Sequence, residues 1–164
     1  KDSKGFTLDT ELTAEDWKAV VAGYKAKVEQ VHGKPFPQDP VEQEFWKRCQ
    51  DGNLYFQRCG DCGCFRHLPR YMCASCGSPE FSWERSSGKG TLFSWTVTHQ
   101  ALHPAFAADI PFVAAVVELE EGVRMATRIV DCDRDSLELD LPLELDFELI
   151  APDFRLPVFR LRKG

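Results

Sequence analysis

Apolar and polar residues alternate in the second half of the chain with the two-residue period of a β-strand. Five segments of that half are predicted as strands, and the fourth of them alternates strictly. They are 91–98, 112–119, 123–130, 143–149 and 158–161, and no helical period appears in this half. Glu120, Glu121 and Gly122 have the composition of a tight turn between the second segment and the third. Five short strands at this spacing favour a small closed barrel, in which closure hides the strand edges.

The first half of the chain shows helical periods instead. A capping box followed by apolar residues at steps of three and four predicts an amphipathic helix over about 13–31. Asp39, which precedes a proline, predicts the start of a second helix that ends near Asp51. Phe45 and Trp46 are adjacent and cannot share one stripe, so one of them is expected to face the next element or a partner.

Two Cys-x-x-Cys motifs lie between these halves, separated by ten residues: Cys59 with Cys62, and Cys73 with Cys76. Two tight turns of this kind aim four thiolates at one tetrahedral Zn²⁺. Four sulfur ligands leave no open position for water, so the predicted zinc is structural. A doubled motif without a surrounding βαβ pattern disfavours the alternative of a redox-active cysteine pair. The expected fold class is mainly β with N-terminal helices, in which a zinc ribbon precedes a five-stranded barrel of the oligonucleotide/oligosaccharide-binding (OB) type.

Two residues near the motifs are weaker candidates for metal binding. Cys64 lies two residues after Cys62, where its use as a ligand would break the symmetry of the two turns. His67 is also a possible ligand, but four cysteines already complete the coordination sphere. The sequence therefore predicts that His67 is a surface histidine of the ribbon.

The charge and cysteine content indicate which classes of partner and which cellular compartment to expect. The net charge is −6, and from residue 86 onward eight lysines and arginines stand against thirteen acidic residues. That half is a poor general binder of nucleic acid, and no apolar run approaches the roughly 20 residues of a membrane span. Four of the seven cysteines lie at metal-binding spacing and no signal peptide opens the given sequence, so a reducing cytoplasm is expected.

The sequence predicts no catalytic residue, but two segments are candidate contact sites. The loop 98–111 and the strand after it offer possible ligand or partner contacts at His99, His103, Phe106 and Phe112. The alternative is a loop that only closes one end of the barrel. Near the C-terminus, Arg155 and Arg160 belong to a small basic segment that suits an anionic phosphate. The alternative there is a solvated terminal strand.

From residue 39 onward, the chain carries a series of motifs: the helix with Phe45 and Trp46, Gly52–Gly63, Cys73–Gly77, Gly88–Thr91, His103–Phe106 and Pro111–Leu119. This arrangement resembles the acyl-CoA-associated family with a rubredoxin-like zinc ribbon and an OB fold. Members of that family are small subunits or appended domains of thiolase-fold enzymes, including acyltransferases, thiolases and the aldolase that shortens steroid side chains. The resemblance implies that the four cysteines bind zinc, and that the reacting residues lie on a thiolase-like partner.

The segment from Leu8 to about Gln43 separately resembles a helical stretch of pyruvate phosphate dikinase. None of that enzyme's phosphohistidine or nucleotide-binding motifs is present, so the resemblance implies a helix and no dikinase activity. The expected domains are an N-terminal helical arm over 1–38, a helix plus zinc ribbon over 39–85, and an OB-fold domain over 86–164.

The function expected from these features is a non-catalytic zinc-binding subunit. It would dock on a thiolase-fold enzyme of lipid, steroid or aromatic acyl-CoA metabolism and help to form the acyl-CoA site. The rival from another class is a nucleic-acid-binding ribbon/OB module, because both folds occur in such proteins. The acidic barrel half disfavours that rival. A third alternative, a stand-alone redox protein, would require cysteines that are metal-free and reversibly oxidised.

Overall fold

A computed structural model describes residues 39–100, 110–151 and 154–162. The helix predicted over 13–31 lies outside the described residues. The second helix is confirmed as α1, Pro40–Gln50, and Asp39 caps it by accepting hydrogen bonds from the backbone N–H groups of Val41 and Glu42. No helix in the described ranges is long and apolar enough to cross a bilayer.

The ribbon is a three-stranded antiparallel sheet that follows the helix. Its strands are β1 (Tyr55–Cys59), β2 (Phe65–Arg66) and β3 (Phe81–Arg85), with β1 in the centre. Gln57 pairs with Arg66 on one side of β1, and Cys59 pairs with Phe81 on the other. The sheet therefore places the first cysteine motif at the end of its central strand.

The five predicted strands of the second half form a closed barrel, which confirms the expected fold class. They are β4 (Lys89–Thr98), β5 (Phe112–Leu119), β6 (Arg124–Ile129), β7 (Pro142–Ala151) and β8 (Phe154–Leu161). The order around the barrel is β4-β5-β6-β8-β7, and pairing of β4 with β7 closes it. The predicted turn between β5 and β6 is present, with Gly122 at a φ of 77°.

One hydrophobic core runs through helix, ribbon and barrel. Phe45 and Cys49 of the helix, Leu54 and Phe56 of the ribbon segment, and Phe159 of the barrel belong to one cluster of buried residues. Its other members come from the barrel strands and the turns between them: Leu92, Val113, Ala115, Val117, Leu119, Val123, Met125, Ile129, Leu137 and Leu143. The ribbon and the barrel are thus held together by shared burial as well as by the chain.

The two adjacent aromatic residues of α1 take different roles. Phe45 is buried in the core. Trp46 is partly buried and packs against Phe154 at the start of β8, with 5.0 Å between ring centroids. This contact ties the helix to the last strand of the barrel.

Candidate functional site

The four cysteine sulfurs converge at one point. The Sγ atoms of Cys59 and Cys76 lie 3.6 Å apart, as do those of Cys62 and Cys73. All four ligand atoms lie within 4.8 Å of one another. A tetrahedral Zn²⁺ with Zn–S bonds of about 2.3 Å would space its sulfurs about 3.8 Å apart. The donor set and its spacing therefore fit a four-sulfur zinc site.

The two cysteine turns share one backbone pattern. In the first, Gly63 N–H donates to the carbonyl of Cys59 and Cys59 N–H donates to that of Cys64, at 3.0 and 2.9 Å. The same two bonds recur in the second turn, residues 73–78, at 2.9 and 2.8 Å. The glycine in the equivalent position of each turn has a positive φ, 72° at Gly63 and 76° at Gly77. This repetition explains why two motifs of the same spacing present their sulfurs in the same way.

Backbone N–H groups prepare two of the sulfurs for metal binding. The N–H groups of Cys76 and Ser75 lower the pKa of the Cys73 thiol to about 6. The pKa of the Cys59 thiol is also lowered, and the largest cause is a hydrogen bond from the backbone N–H of Cys62. Burial acts in the opposite direction and raises this pKa. Because the thiolate is the form that binds a metal, both shifts favour coordination. A backbone N–H also acts to lower the pKa of Cys62 and of Cys76, but hydrogen bonds with neighbouring thiols and burial outweigh it, so the pKa values of these two are raised.

The two weaker candidates lie outside this cluster. Cys64 is exposed, and its sulfur is not one of the four that converge. The prediction of a surface histidine at position 67 is wrong, because the ring of His67 packs against Phe45 and Phe56, with 5.5 Å between ring centroids in each case. Burial lowers the pKa of His67 to about 4. No local pattern around His67 indicates this packing, because the helix brings Phe45 to the ribbon only in the folded chain.

The depressed pKa of His67 makes the stability of the fold depend on pH. The unfolded chain takes up this proton near pH 6.5 and the folded chain only near 4, so stability is complete above pH 6.5 and falls as the pH decreases to 4. We expect a loss of about 3 kcal/mol over that interval. Urea unfolding at several pH values measures it. His67→Phe is the control, and equal pH slopes for the two proteins would contradict the assignment.

The predicted contact residues fall into two separate places. His103 and Phe106 lie outside the described residues. His99 is exposed just after β4, and Phe112 is the cross-strand partner of Thr98, so both flank the loop between β4 and β5. Among the described contacts, none joins this pair to Arg155 or Arg160.

The two predicted arginines border a cleft that the sequence did not reveal. The cleft has a volume of about 330 Å³ and lies where the helix–ribbon connection meets the barrel. Arg160 forms ion pairs with Glu144 and Asp146, which line it, at 3.0 and 3.3 Å. Gly52 also lines the cleft, and Arg155 lies beside it. A guanidinium nitrogen of Arg155 is 3.2 Å from the position that a Cβ on Gly52 would occupy. The lining residues are Gly52–Leu54, Arg85–Lys89 and Glu144–Phe147.

The loop between the two cysteine turns exposes large apolar side chains. Leu68, Tyr71 and Met72 are 58%, 55% and 60% exposed. The loop is nevertheless fixed from below, because the backbone N–H of Arg70 donates to Oε1 of the fully buried Gln57 at 2.7 Å. Such exposure on an ordered segment is typical of a surface that a partner covers.

Comparisons with known proteins agree with this architecture. Residues 46–82 match the family model described as "ChsH2, rubredoxin-like zinc ribbon domain", and residues 83–148 match "ChsH2, C-terminal OB-fold domain". The solved structure described as "Ltp2-ChsH2(DUF35) aldolase" is similar with a TM-score of 0.69 and 35% identity, over 75% of this chain and 95% of that one.

Curated relatives include subunits and scaffold proteins. A "DUF35 domain-containing scaffold protein" of Methanothermobacter thermautotrophicus is 36% identical over 62% of this chain and 76% of its own length. A "Probable enoyl-CoA hydratase alpha subunit" of Thermomonospora curvata is 36% identical over 82% of this chain. The chain spans 43% of that relative's length. A "3-oxo-4,17-pregnadiene-20-carboxyl-CoA hydratase alpha subunit" of Mycobacterium tuberculosis is 35% identical over 68% of this chain and 35% of its own length.

The separate resemblance to a dikinase is also confirmed. "Pyruvate, phosphate dikinase" of Rhizobium meliloti is 50% identical over 42 residues, which make up 26% of this chain and 5% of that enzyme. So short a match carries none of the activity of the whole enzyme.

Proposed function

Because this chain belongs to the DUF35 scaffold family with a ChsH2-type zinc ribbon and OB fold, we propose that it is a scaffold subunit of a thiolase-fold enzyme. In this proposal the chain helps to form the acyl-CoA site, while the partner makes or breaks the carbon–carbon bond. The structural likeness to an aldolase complex at 35% identity is the observation that carries the proposal. The two hydratase alpha subunits among its relatives support a role in acyl-CoA chemistry.

The proposed metal is one zinc ion held by Cys59, Cys62, Cys73 and Cys76. When bound, it cross-links the two cysteine turns and leaves no open position for a substrate. The residues themselves supply the rest of the site, since the turns orient the sulfurs and backbone N–H groups favour the thiolates. All seven cysteines are unpaired in the structure, which supports a reducing compartment such as the cytoplasm.

The docking surface in this proposal is the loop of residues 67–72, called here the docking loop. Three of its side chains are more than half exposed although they are large and mainly apolar. The loop is held at two points, by Gln57 and by a hydrogen bond from the Tyr71 hydroxyl to Asp39 at 3.3 Å. A surface that is ordered before binding loses less entropy when a partner covers it.

The acyl-CoA contact in this proposal is the cleft beside the barrel. Arg85 and Lys89 line it, and Arg155 and Arg160 border it. Two carboxylates, Glu144 and Asp146, also line it, and Arg160 pairs with both. Glu121 borders the cleft as well, since it accepts a hydrogen bond from the backbone N–H of Ser87 at 2.6 Å. The four cations exceed these three carboxylates by one positive charge, which suits the phosphates of coenzyme A. His99 and Phe112, which flank the loop between β4 and β5, are proposed as a further partner contact.

Co-purification from the native cells tests docking. We expect the tagged chain to retain a thiolase-fold enzyme near one-to-one through a moderate-salt wash, and the purified pair to turn over an acyl-CoA. Leu68→Asp together with Met72→Asp should lower recovery by about a hundredfold, because charges would replace apolar contacts in the interface core. Binding measured by titrating the purified partner gives the size of the effect.

Leu139 and Leu149 provide a matched control. They are 61% and 63% exposed, as much as the docking-loop residues, but lie on the barrel. Their replacement by aspartate should leave recovery unchanged. Equal loss of partner recovery in the two doubly substituted proteins would show that the interface does not depend on the docking loop. Turnover of acyl-CoA by this chain alone would contradict the division of labour, and recovery of single-stranded nucleic acid with strong salt sensitivity would favour the rival function.

A further inference from the structure

Arg66 is a buried cation whose polar contacts are all with neutral groups. It is 7% exposed, and its guanidinium donates to the carbonyls of Arg70 and Glu80 at 3.4 and 3.5 Å. It also lies over the ring of Phe81, 5.1 Å from the centroid. Within the described part of the chain, it is the one arginine that is buried, and no carboxylate lies at ion-pair distance from it. A buried charge of this kind requires compensation.

The guanidinium lies beside the backbone that carries the first cysteine turn. The Glu80 carbonyl that accepts from Arg66 also accepts from the N–H of Gly60 at 3.0 Å. Gly60 follows Cys59 directly, and Phe81, below the guanidinium, is the cross-strand partner of Cys59. Two hydrogen bonds through one carbonyl thus connect Arg66 to the residue next to a metal ligand.

The proposed metal centre supplies the missing opposite charge. Four thiolates carry −4 and Zn²⁺ carries +2, so the loaded site has a net charge of about −2. In a partly buried environment the two charges interact far more strongly than they would in water. We propose that Arg66 is the counter-charge of the four-thiolate metal centre, so that zinc binding and the burial of this arginine stabilise each other. The inference rests on the proposed zinc site.

Zinc affinity of charge variants tests this inference. Arg66→Gln removes the charge but keeps an amide donor for the two carbonyls, and Arg66→Lys keeps the charge but loses the planar fork. We expect Arg66→Gln to weaken zinc binding about tenfold in a chelator competition, and Arg66→Lys to retain most of the affinity. The visible spectrum of the Co²⁺-loaded protein should remain that of a four-sulfur site in both variants.

Arg85→Gln is the matched control. Arg85 is an exposed arginine of the same sheet, four residues beyond Phe81 on β3, or about 13 Å along the strand. Its replacement should change zinc affinity by about twofold at most, because solvent and salt screen it. Equal weakening in the glutamine variants at positions 66 and 85 would overturn the specific role of Arg66.

A change of charge at the metal separates electrostatics from packing. Cys76→His reduces the negative charge of the loaded site from about −2 to about −1, and zinc accepts three sulfurs and one histidine. The effect of Arg66→Gln in that background should shrink to about threefold. An undiminished effect there, or equal weakening by glutamine and lysine at position 66, would overturn the inference. A wild-type chain that binds no zinc would instead contradict the proposed metal site itself.

Discussion

Cys73→Ser is expected to abolish zinc binding and unfold the ribbon. Cys73 is buried, and backbone N–H groups hold the pKa of its thiol at about 6, so its loss removes a well-prepared thiolate. Structural zinc contributes about 10 kcal/mol or more of apparent binding free energy in small zinc modules. That figure matches the whole net stability of an ordinary domain, about 5–15 kcal/mol. Zinc content by atomic absorption should fall from about one ion per chain to near zero, with loss of cooperative thermal unfolding.

Cys64→Ser is the control for this expectation. Cys64 lies in the other cysteine turn, the one that begins at Cys59, but it is exposed and outside the four converging sulfurs. The Cys64→Ser variant should bind one zinc ion with unchanged affinity. If Cys64→Ser loses the metal and Cys73→Ser retains it, the assignment of the four ligands is wrong. Unchanged thermal unfolding in a zinc-free Cys73→Ser variant would show that the metal does not hold the ribbon.

Gly90→Ala is expected to destabilise the barrel by about 3 kcal/mol, near the upper end for overpacking of a core. Gly90 pairs with Leu119 on one side and Leu143 on the other, so its strand has neighbours on both sides. A Cβ at this position would lie 2.5 Å from the carbonyl oxygen of Glu118 and 2.9 Å from a methyl carbon of Val117. Relief would require the backbone of β4 or β5 to move. Urea unfolding monitored by tryptophan fluorescence measures the change in the free energy of unfolding.

Gly122→Ala separates the clash from the loss of glycine as such. Gly122 has a φ of 77°, but no atom lies within 4 Å of where its Cβ would be. Its replacement therefore costs only the strain of a left-handed backbone, about 1 kcal/mol. If the two alanine variants were equally stable, the close approach at Gly90 would have no energetic consequence.

The sequence predicted those parts of the fold that depend on local periodicity. The alternation of 143–149 lies within β7, which the structure extends to Pro142–Ala151. The segment predicted at 158–161 is longer than expected, since β8 begins at Phe154 and passes through Pro157. A proline argues against a strand because it lacks an N–H. Here the Pro157 carbonyl accepts a hydrogen bond from the Thr127 hydroxyl at 2.9 Å, which only the closed barrel makes possible.

The metal site was also predictable from a local pattern, the spacing of its cysteines. The surroundings of that site were not predictable in this way. Four cysteines at fixed spacing identify a zinc site without knowledge of the fold. Arg66, His67 and the cleft acquire their character from residues distant in the sequence: Arg66 contacts a carbonyl 14 residues away, and His67 packs against Phe45 of the helix. The surroundings of these residues and the shape of the cleft arise from tertiary packing, so no local pattern in the chain predicts them.

The continuous core of helix, ribbon and barrel also constrains how such a protein evolves. Buried side chains from all three parts form one cluster, among them Phe45, Phe56 and Phe159. A recombination breakpoint between ribbon and barrel would leave apolar surfaces without cover on both fragments, and an unrelated barrel would not match the shape of the surface left behind. The two parts are therefore expected to be inherited together, with compensating substitutions across their junction.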